Sequence, residues 1–355
     1  MARGSFEFIN SFPLDHVWVF LTDRCNLKCG YCFFKNKTNR TTIHETALKA
    51  LFSFLPQNKR WQFILSGGEP LLEWEKTKGV IVKIQKKYPG NYLSVQSNAV
   101  LLDDRKTLFL KARHVNLEVG IDGDEATTIA NRQGISAKSY QGISRGVMRL
   151  NKMGSSSSTT MTVYPCNVDE LFVNLKHLDS LGAKRIEIHP AFLEPWERAS
   201  ASVFLREYRK ASAYELRFRK KGLIGREYSL PSKGVWDMVI MPDGKVLPNW
   251  TFLSFPKKVQ EKFYVMDLSS GIAKTLPAAK KYFDSLKKFL GRSKNGVSYR
   301  CLSNFNASLA LQCLGNKTFT RSFGVYDRLC QDVEGFDLEI LTRGAGCNKS
   351  VMNAR

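Results

Sequence analysis

Six short, β-rich apolar segments recur along the first half of the chain, and helical patterns separate most of them. That alternation restricts the fold more than any other feature. The segments are "HVWVFLT" (16–22), "WQFILS" (61–66), "YLSVQS" (92–97), "VNLEVGI" (115–121), "TTMTVY" (159–164) and "RIEIHP" (185–190). Helical patterns follow at 42–56, 75–88, 104–112, 139–154 and 168–182; the last two end in Gly154 and Gly182, which suit helix C-caps. Strands alternating with helices predict a parallel sheet covered by helices, so the fold class is α/β. The sheet curls into a full or partial (β/α) barrel, with an open doubly wound sheet as the alternative. In both architectures functional groups gather at the C-terminal ends of the strands.

Directly after the first strand comes "CNLKCGYC" (25–32), three of the chain's eight cysteines within eight positions. The remaining five, Cys166, Cys301, Cys313, Cys330 and Cys347, are widely scattered. Structural zinc wants four ligands, usually as two close pairs, and no second pair is present. A [4Fe-4S] cube also has four corners, so three cysteines would leave one iron open to a ligand. Asn26, Lys28 and Gly30 make the loop too polar for the cysteines to serve as packing groups. The N-terminus shows no signal-peptide pattern and no apolar run is long enough to span a membrane, which points to the cytoplasm, where clustered thiols stay reduced.

The spacing C-x3-C-x2-C with an aromatic before the third cysteine resembles the signature loop of radical S-adenosylmethionine (SAM) enzymes. The resemblance implies a partial (β/α)6 barrel over residues 14–195. It implies that Cys25, Cys29 and Cys32 hold one [4Fe-4S] cluster, and that SAM chelates the fourth iron and is cleaved to a 5′-deoxyadenosyl radical. Further matches follow in family order. "SGGEP" is similar to the GGEP motif, so Gly67, Gly68, Glu69 and Pro70 are expected at SAM, with Glu69 meeting its amino group. "QSNAVLL" resembles the stretch after strand three, which puts Ser97 and Asn98 near the nucleoside; Ala99 stands where glycine is usual. "GIDGDEATTIANRQG" resembles a later family stretch, which implies Asp122 at SAM and Arg132 on its carboxylate. There Gly120 replaces a common ribose-contacting serine. Tyr31 and His189 complete the implied SAM set.

Residues 196–355 form a basic C-terminal extension. "WDMVIMPDGKVLPNW" (236–250) resembles the start of the SPASM region of peptide-modifying radical SAM enzymes, where a cysteine serves an auxiliary cluster. Here that position is Asn249. The expectation is a SPASM-like or truncated α+β extension that keeps a hairpin at "PDGK" and carries no auxiliary cluster. A second cluster assembled from the four late cysteines stays open as the alternative. Net charge is +22, with nine Lys/Arg against three acids at 201–234 and ten against three at 257–298. Such a field attracts polyanions. The expected substrate is a peptide or protein, acidic in part, modified by cyclisation, epimerisation or a related reaction. The alternative is RNA, a nucleotide or a phosphorylated small molecule; a non-enzymatic redox sensor has no need of SAM contacts. The resemblance also implies an electron donor such as flavodoxin or ferredoxin, and no membrane partner. For a radical that needs a returning hydrogen atom, Cys166, Cys301, Cys313, Cys330 and Cys347 are the candidate donors.

Overall fold

A computed structural model describes residues 14–154, 157–192, 194–218, 220, 222–226, 236–290, 299–314 and 317–344. The first strand, β1 (Leu14–Thr22), lies inside the sheet, and its Val17, Val19, Phe20 and Leu21 are fully buried. A strand covered on both faces reads as a continuous apolar run and not as an alternation, which is how "VWVFL" reads. A two-residue strand, β2 (Lys28–Cys29), follows in the cysteine loop. Helix α1 (Glu45–Phe54) returns the chain to β3 (Gln62–Gly67), and α2 (Trp74–Lys87) leads to β4 (Tyr92–Ser97). Helix α3 (Asp104–Ala112) precedes β5 (Asn116–Gly120). Next come α4 (Glu125–Asn131), the two-residue β6 (Arg132–Gln133) and α5 (Ala137–Lys152). The chain continues through β7 (Ser157–Val163), α6 (Leu171–Ser180), β8 (Ile186–Pro190) and α7 (Arg198–Arg217).

The strands stand in the order β1-β3-β4-β5-β7-β8, every neighbouring pair parallel. The spatial order follows the chain order without reversal. A doubly wound sheet would reverse at a switch point, so the barrel-type winding is the one the chain adopts. All six C-terminal strand ends therefore face the same way, and the loops after them share one mouth.

Beyond α7, strand β9 (Trp236–Ile240) pairs in parallel with β1, so the late half of the chain adds a seventh parallel strand to the same sheet. Its neighbour β10 (Lys245–Leu247) turns back antiparallel, and β11 (Met266–Asp267) and β12 (Lys274–Thr275) continue the meander. The β9–β10 turn is the hairpin expected at "PDGK", with Gly244 at φ +84°, a conformation that glycine adopts without strain. Helices α8 (Lys257–Gln260), α9 (Ala278–Leu290), α10 (Tyr299–Leu314) and α11 (Lys317–Gly344) follow. Helix α9 buries Ala279, Tyr282, Phe283 and Leu286 and exposes Lys280, Lys281, Lys287 and Lys288, so part of the basic charge is a solvated helix face. Arg226 is different. It is buried, donating through Nη1 to Glu215 Oε2 (2.6 Å) and through Nε to Asp337 Oδ1 (3.1 Å), which fastens α11 to α7. Among the described residues, no helix is long and apolar enough to cross a membrane.

Candidate active site

The parallel pairing of β1 and β3 ends at Thr22 opposite Gly67, after a register shift between Phe20 and Thr22. From there the two loops run against each other. Gly68 N donates to Thr22 O at 2.7 Å and Glu69 N to Arg24 O at 2.8 Å. A Cβ on Gly68 would overlap the Arg24 carbonyl, and Gly67 has φ +138°. The two glycines thus let the β3 loop lie backbone to backbone on the segment that enters the cysteine loop.

Asp23 folds that loop. Its carboxylate, 4% exposed, accepts from Thr38 N (3.0 Å), Arg40 N (2.9 Å), Thr41 N (2.8 Å) and the Thr38 hydroxyl. Burial alone would raise its pKa, but these donors outweigh burial and hold it below the usual carboxylate range. Cys25, Cys29 and Cys32 are half-buried, and Cys25 N donates to Asn39 Oδ1 at 3.2 Å. Burial pushes the Cys29 thiol up to about 11, opposed by the nearby Arg132 charge. Lys37 Nζ lies 3.1 Å from Cys32 Sγ.

The ladder of β2 and β6 pairs Cys29 with Arg132, joining the cysteine loop to the stretch after β5. Arg132 grips Asp122 with both arms of its fork, Nε to Oδ2 at 3.1 Å and Nη2 to Oδ1 at 2.8 Å. Tyr31 Oη donates to the same Oδ2 (2.6 Å), and Thr162 N to Oδ1 (3.1 Å). Burial works against the Arg132 charge, but Asp122 and its other neighbours more than compensate and hold the guanidinium firmly protonated. Its Nη1 lies where a Cβ on residue 120 would come within 2.6 Å. Glycine at 120 therefore makes room for the guanidinium, which accounts for the missing serine.

Glu69 is fully buried. Its Oε1 accepts from Leu71 N (2.9 Å) and Ser97 Oγ (2.8 Å), and its Oε2 from Asn98 N (2.8 Å). Burial raises its pKa, and the three donors oppose that. Asn98 Nδ2 reaches Asn26 Oδ1 at 2.8 Å, so the loops after β1, β3 and β4 are bonded into one platform. Ala99 has φ +58°, the left-handed conformation for which glycine is the usual choice.

The structure brings Cys25, Cys29, Tyr31, Cys32, Gly67, Gly68, Glu69, Pro70, Ser97, Asn98, Asp122 and Arg132 to neighbouring strand ends, and His189 to β8 in a half-buried setting. Cys166 is exposed in the turn Pro165–Glu170 after β7, at that same end. Cys313 is exposed on α10 and Cys330 is buried in the core on α11. Cys347 and the side chain of Cys301 fall outside the described residues.

Several residues at the mouth lie in stretches read from the sequence but were given no role there. Tyr164, at the end of β7, packs on Tyr31 with ring centroids 5.3 Å apart. Asn131 is 5% exposed, accepts from Asn167 Nδ2 at 3.0 Å, and its own Nδ2 has no partner among the described residues. The extension reaches the mouth through Trp250, which meets Phe33 and Phe192 edge-on at 5.3 and 5.4 Å. Lys35 N donates to Leu253 O (3.2 Å), and Asn36 Nδ2 to Phe255 O (2.6 Å). The Asn249 side chain is 1% exposed and satisfied internally: Nδ2 donates to Asp237 Oδ2 (2.7 Å), while Oδ1 accepts from Thr251 N (3.0 Å) and Thr251 Oγ1 (2.8 Å).

The sequence profile of the Radical SAM superfamily matches residues 19–178. GTP 3′,8-cyclase of Chlorobaculum tepidum is 28% identical over 191 residues, covering 50% of this chain and 54% of the cyclase. The cysteine-type anaerobic sulfatase-maturating enzyme of Clostridium perfringens is 26% identical over 135 residues, 34% of this chain and 36% of that enzyme. The chain spans 54% to 61% of the length of three of its curated relatives, little more than half. Among solved structures, anSMEcpe with bound AdoMet and the Cp18Cys peptide superposes with a TM-score of 0.62 at 14% identity, over 89% of this chain and 100% of that one. At that identity the likeness is one of fold.

Proposed function

We propose that this chain, whose residues 19–178 belong to the radical SAM superfamily, is an enzyme that abstracts a hydrogen atom from a peptide or protein and so modifies it. The observation that carries the proposal is the bonded platform at the strand ends, in which the Cys25–Cys32 loop, Glu69 and the Arg132–Asp122 pair are locked together. The residues fit a cluster by the chemistry of the donor set: Cys25, Cys29 and Cys32 are free, half-buried thiols in one loop, the donors an iron–sulfur cube takes, with one iron left for another ligand. The unpartnered Nδ2 of Asn131 is a buried donor in want of an acceptor, which favours a polar ligand beside Arg132.

In this reading Cys25, Cys29 and Cys32 hold the cluster as thiolates. The loop of Gly67, Gly68, Glu69 and Pro70, with Tyr31, Ser97, Asn98, Asp122, Arg132 and His189, forms the SAM site. When bound, cluster and SAM together supply a hydrogen-abstracting radical after one electron arrives from a donor such as flavodoxin or ferredoxin. The chain's own work is placement. Asp122 holds the Arg132 fork and the Tyr31 hydroxyl in fixed directions, and Glu69 fixes the loops after β3 and β4 by accepting three hydrogen bonds. The extension sets Trp250 against Phe33, immediately after Cys32, and so braces the loop that follows the third cysteine. Among the described candidates Cys166, exposed at the strand ends, is the placement most suited to returning a hydrogen atom.

A peptide is favoured because the fold of a peptide-bound enzyme is shared along that enzyme's whole length, extension included. The cyclase likeness, covering half of each chain, supports a nucleotide substrate as the second reading. The test is anaerobic reconstitution, then incubation with reductant, SAM and either peptides encoded beside the gene or nucleotides and RNA. About four irons per chain are expected, and none in a Cys25, Cys29 and Cys32 triple alanine variant. 5′-Deoxyadenosine should rise above background only with a peptide. A rise with nucleotides alone would establish the second reading, and a triple variant that keeps its iron would remove the cluster assignment.

A further inference from the structure

Lys37 presents its ammonium to the sulfur of Cys32, which the proposed function gives to the cluster, and any role for the lysine there rests on that assignment. Its Nζ is 3.1 Å from Cys32 Sγ, and among the described residues it forms no ion pair with a carboxylate. The residues on both sides of it are fastened. Asn36 is bonded to Phe255 O in the extension, and Thr38 gives both its N–H and its hydroxyl to the Asp23 carboxylate. Lys35, one residue earlier, is tied through N to Leu253 O and through Nζ to Gly30 O (2.8 Å). The other charges beside the three sulfurs are already engaged: Arg132 is matched by Asp122, and Glu69 is enclosed by three donors. Lys37 is therefore a half-buried cation that pairs with no carboxylate among the described residues, aimed at one cluster ligand.

We propose that Lys37 is a positioning residue that acts through Cys32: its charged N–H···S bond raises the reduction potential of the cluster and so eases the electron transfer that begins each turnover. The step is a one-electron addition from a low-potential flavin or iron–sulfur protein, or dithionite in vitro. The donor loses one electron, the cluster gains one, and no bond forms or breaks. Reduction adds negative charge that spreads onto the thiolate sulfurs, so a nearby cation stabilises the reduced state more than the oxidised one. Hydrogen bonds to the sulfurs and local charge are among the factors that set such potentials. If the bond favours the reduced state over the oxidised one by about tenfold in the equilibrium constant, the potential rises by about 59 mV for one electron.

The experiment is an EPR-monitored redox titration of the reconstituted full chain, with iron counted in each sample, on wild type, Lys37→Met, Lys37→Gln and Lys37→Arg. Lys37→Met and Lys37→Gln should keep wild-type iron and titrate about 59 mV lower, whereas Lys37→Arg should stay near wild type. Iron-loaded Lys37→Met or Lys37→Gln at the wild-type potential would overturn the proposal. So would Lys37→Arg falling with them, since charge would then not be the cause. Loss of iron from both neutral variants would overturn it too, because the lysine would be holding the cluster and not tuning it. Wild type that binds no iron would instead sink the cluster assignment itself.

Discussion

Adding one methyl group at residue 68 should damage the platform more than most changes of that size. Gly68 sits where the β3 loop lies on Asp23 and Arg24, and an alanine Cβ would overlap the Arg24 carbonyl and come within 3.0 Å of the Asp23 carbonyl carbon. Neither neighbour is a side chain that can rotate away, so the two backbones must part. Parting them breaks the bonds Gly68 N–Thr22 O (2.7 Å) and Glu69 N–Arg24 O (2.8 Å). Each lost bond costs about 1 kcal/mol, and forced overpacking adds about 1–3 kcal/mol. Gly68→Ala should therefore lower stability by about 3–5 kcal/mol. The same substitution has the opposite sign at Gly79, which lies inside α2 with no atom within 4 Å of its would-be Cβ. There the better helix propensity of alanine should add about 0.5–1 kcal/mol. Urea unfolding followed by tryptophan fluorescence compares the two variants with wild type. Iron uptake should fall in Gly68→Ala as well, since the displaced segment leads directly into Cys25. A Gly68→Ala midpoint equal to wild type, or raised as in Gly79→Ala, would show that the loops do not bear on each other as described.

Arg132→Met should cost about 3–5 kcal/mol in urea unfolding, because it leaves the Asp122 carboxylate buried without its cation; a loss below 1 kcal/mol would contradict that burial. Asp267 is held at a pKa of about 2 against an ordinary value of 3.8: burial would raise it, but hydrogen bonds from Lys245 and Ser269 outweigh burial. Its folded-state pKa is depressed, so the stabilisation is present above pH 3.8 and disappears as pH falls through about 2. Asp267→Asn should thus cost up to about 2 kcal/mol at pH 7, a fraction of that at pH 2 and nothing well below it, measured by thermal unfolding across that range.

The parts of this molecule that were legible in the sequence are those that repeat or that chemistry forces into a fixed spacing. Strands such as "VWVFL" and "QFILS" announce themselves because both faces are buried. The cysteine loop does so because no packing role suits three thiols in a polar turn. What stayed hidden depends on single long-range contacts. The ladder of β2 and β6 is two residues long and has no period to read, yet it joins Cys29 to Arg132. Helix α4 left one signal, Asp124, whose side chain accepts from Thr127 N at the helix start. Asp23 looks like any polar residue after a strand until Thr38, Arg40 and Thr41 fold back on it. Nothing in "WDMVI" says that it will pair with β1, because the choice of partner is made across more than two hundred residues.

Asn249 shows what can stand at a motif position whose key residue has changed. The position reads as a lost cluster ligand, and a lost ligand would leave a polar gap. The structure fills that place with hydrogen bonds: the asparagine side chain bonds to Asp237 and to Thr251, and so caps the turn Trp250–Ser254. That turn carries Trp250 onto Phe33, immediately after Cys32, and Leu253 and Phe255 supply the carbonyls that accept from Lys35 and Asn36. A cap on one turn of the extension is thereby linked, through a short run of residues, to the loop that follows the third cysteine. The hydrogen bonds of Asn249 thus fix a short segment between β10 and α8 and, through it, the loop that follows the cysteines.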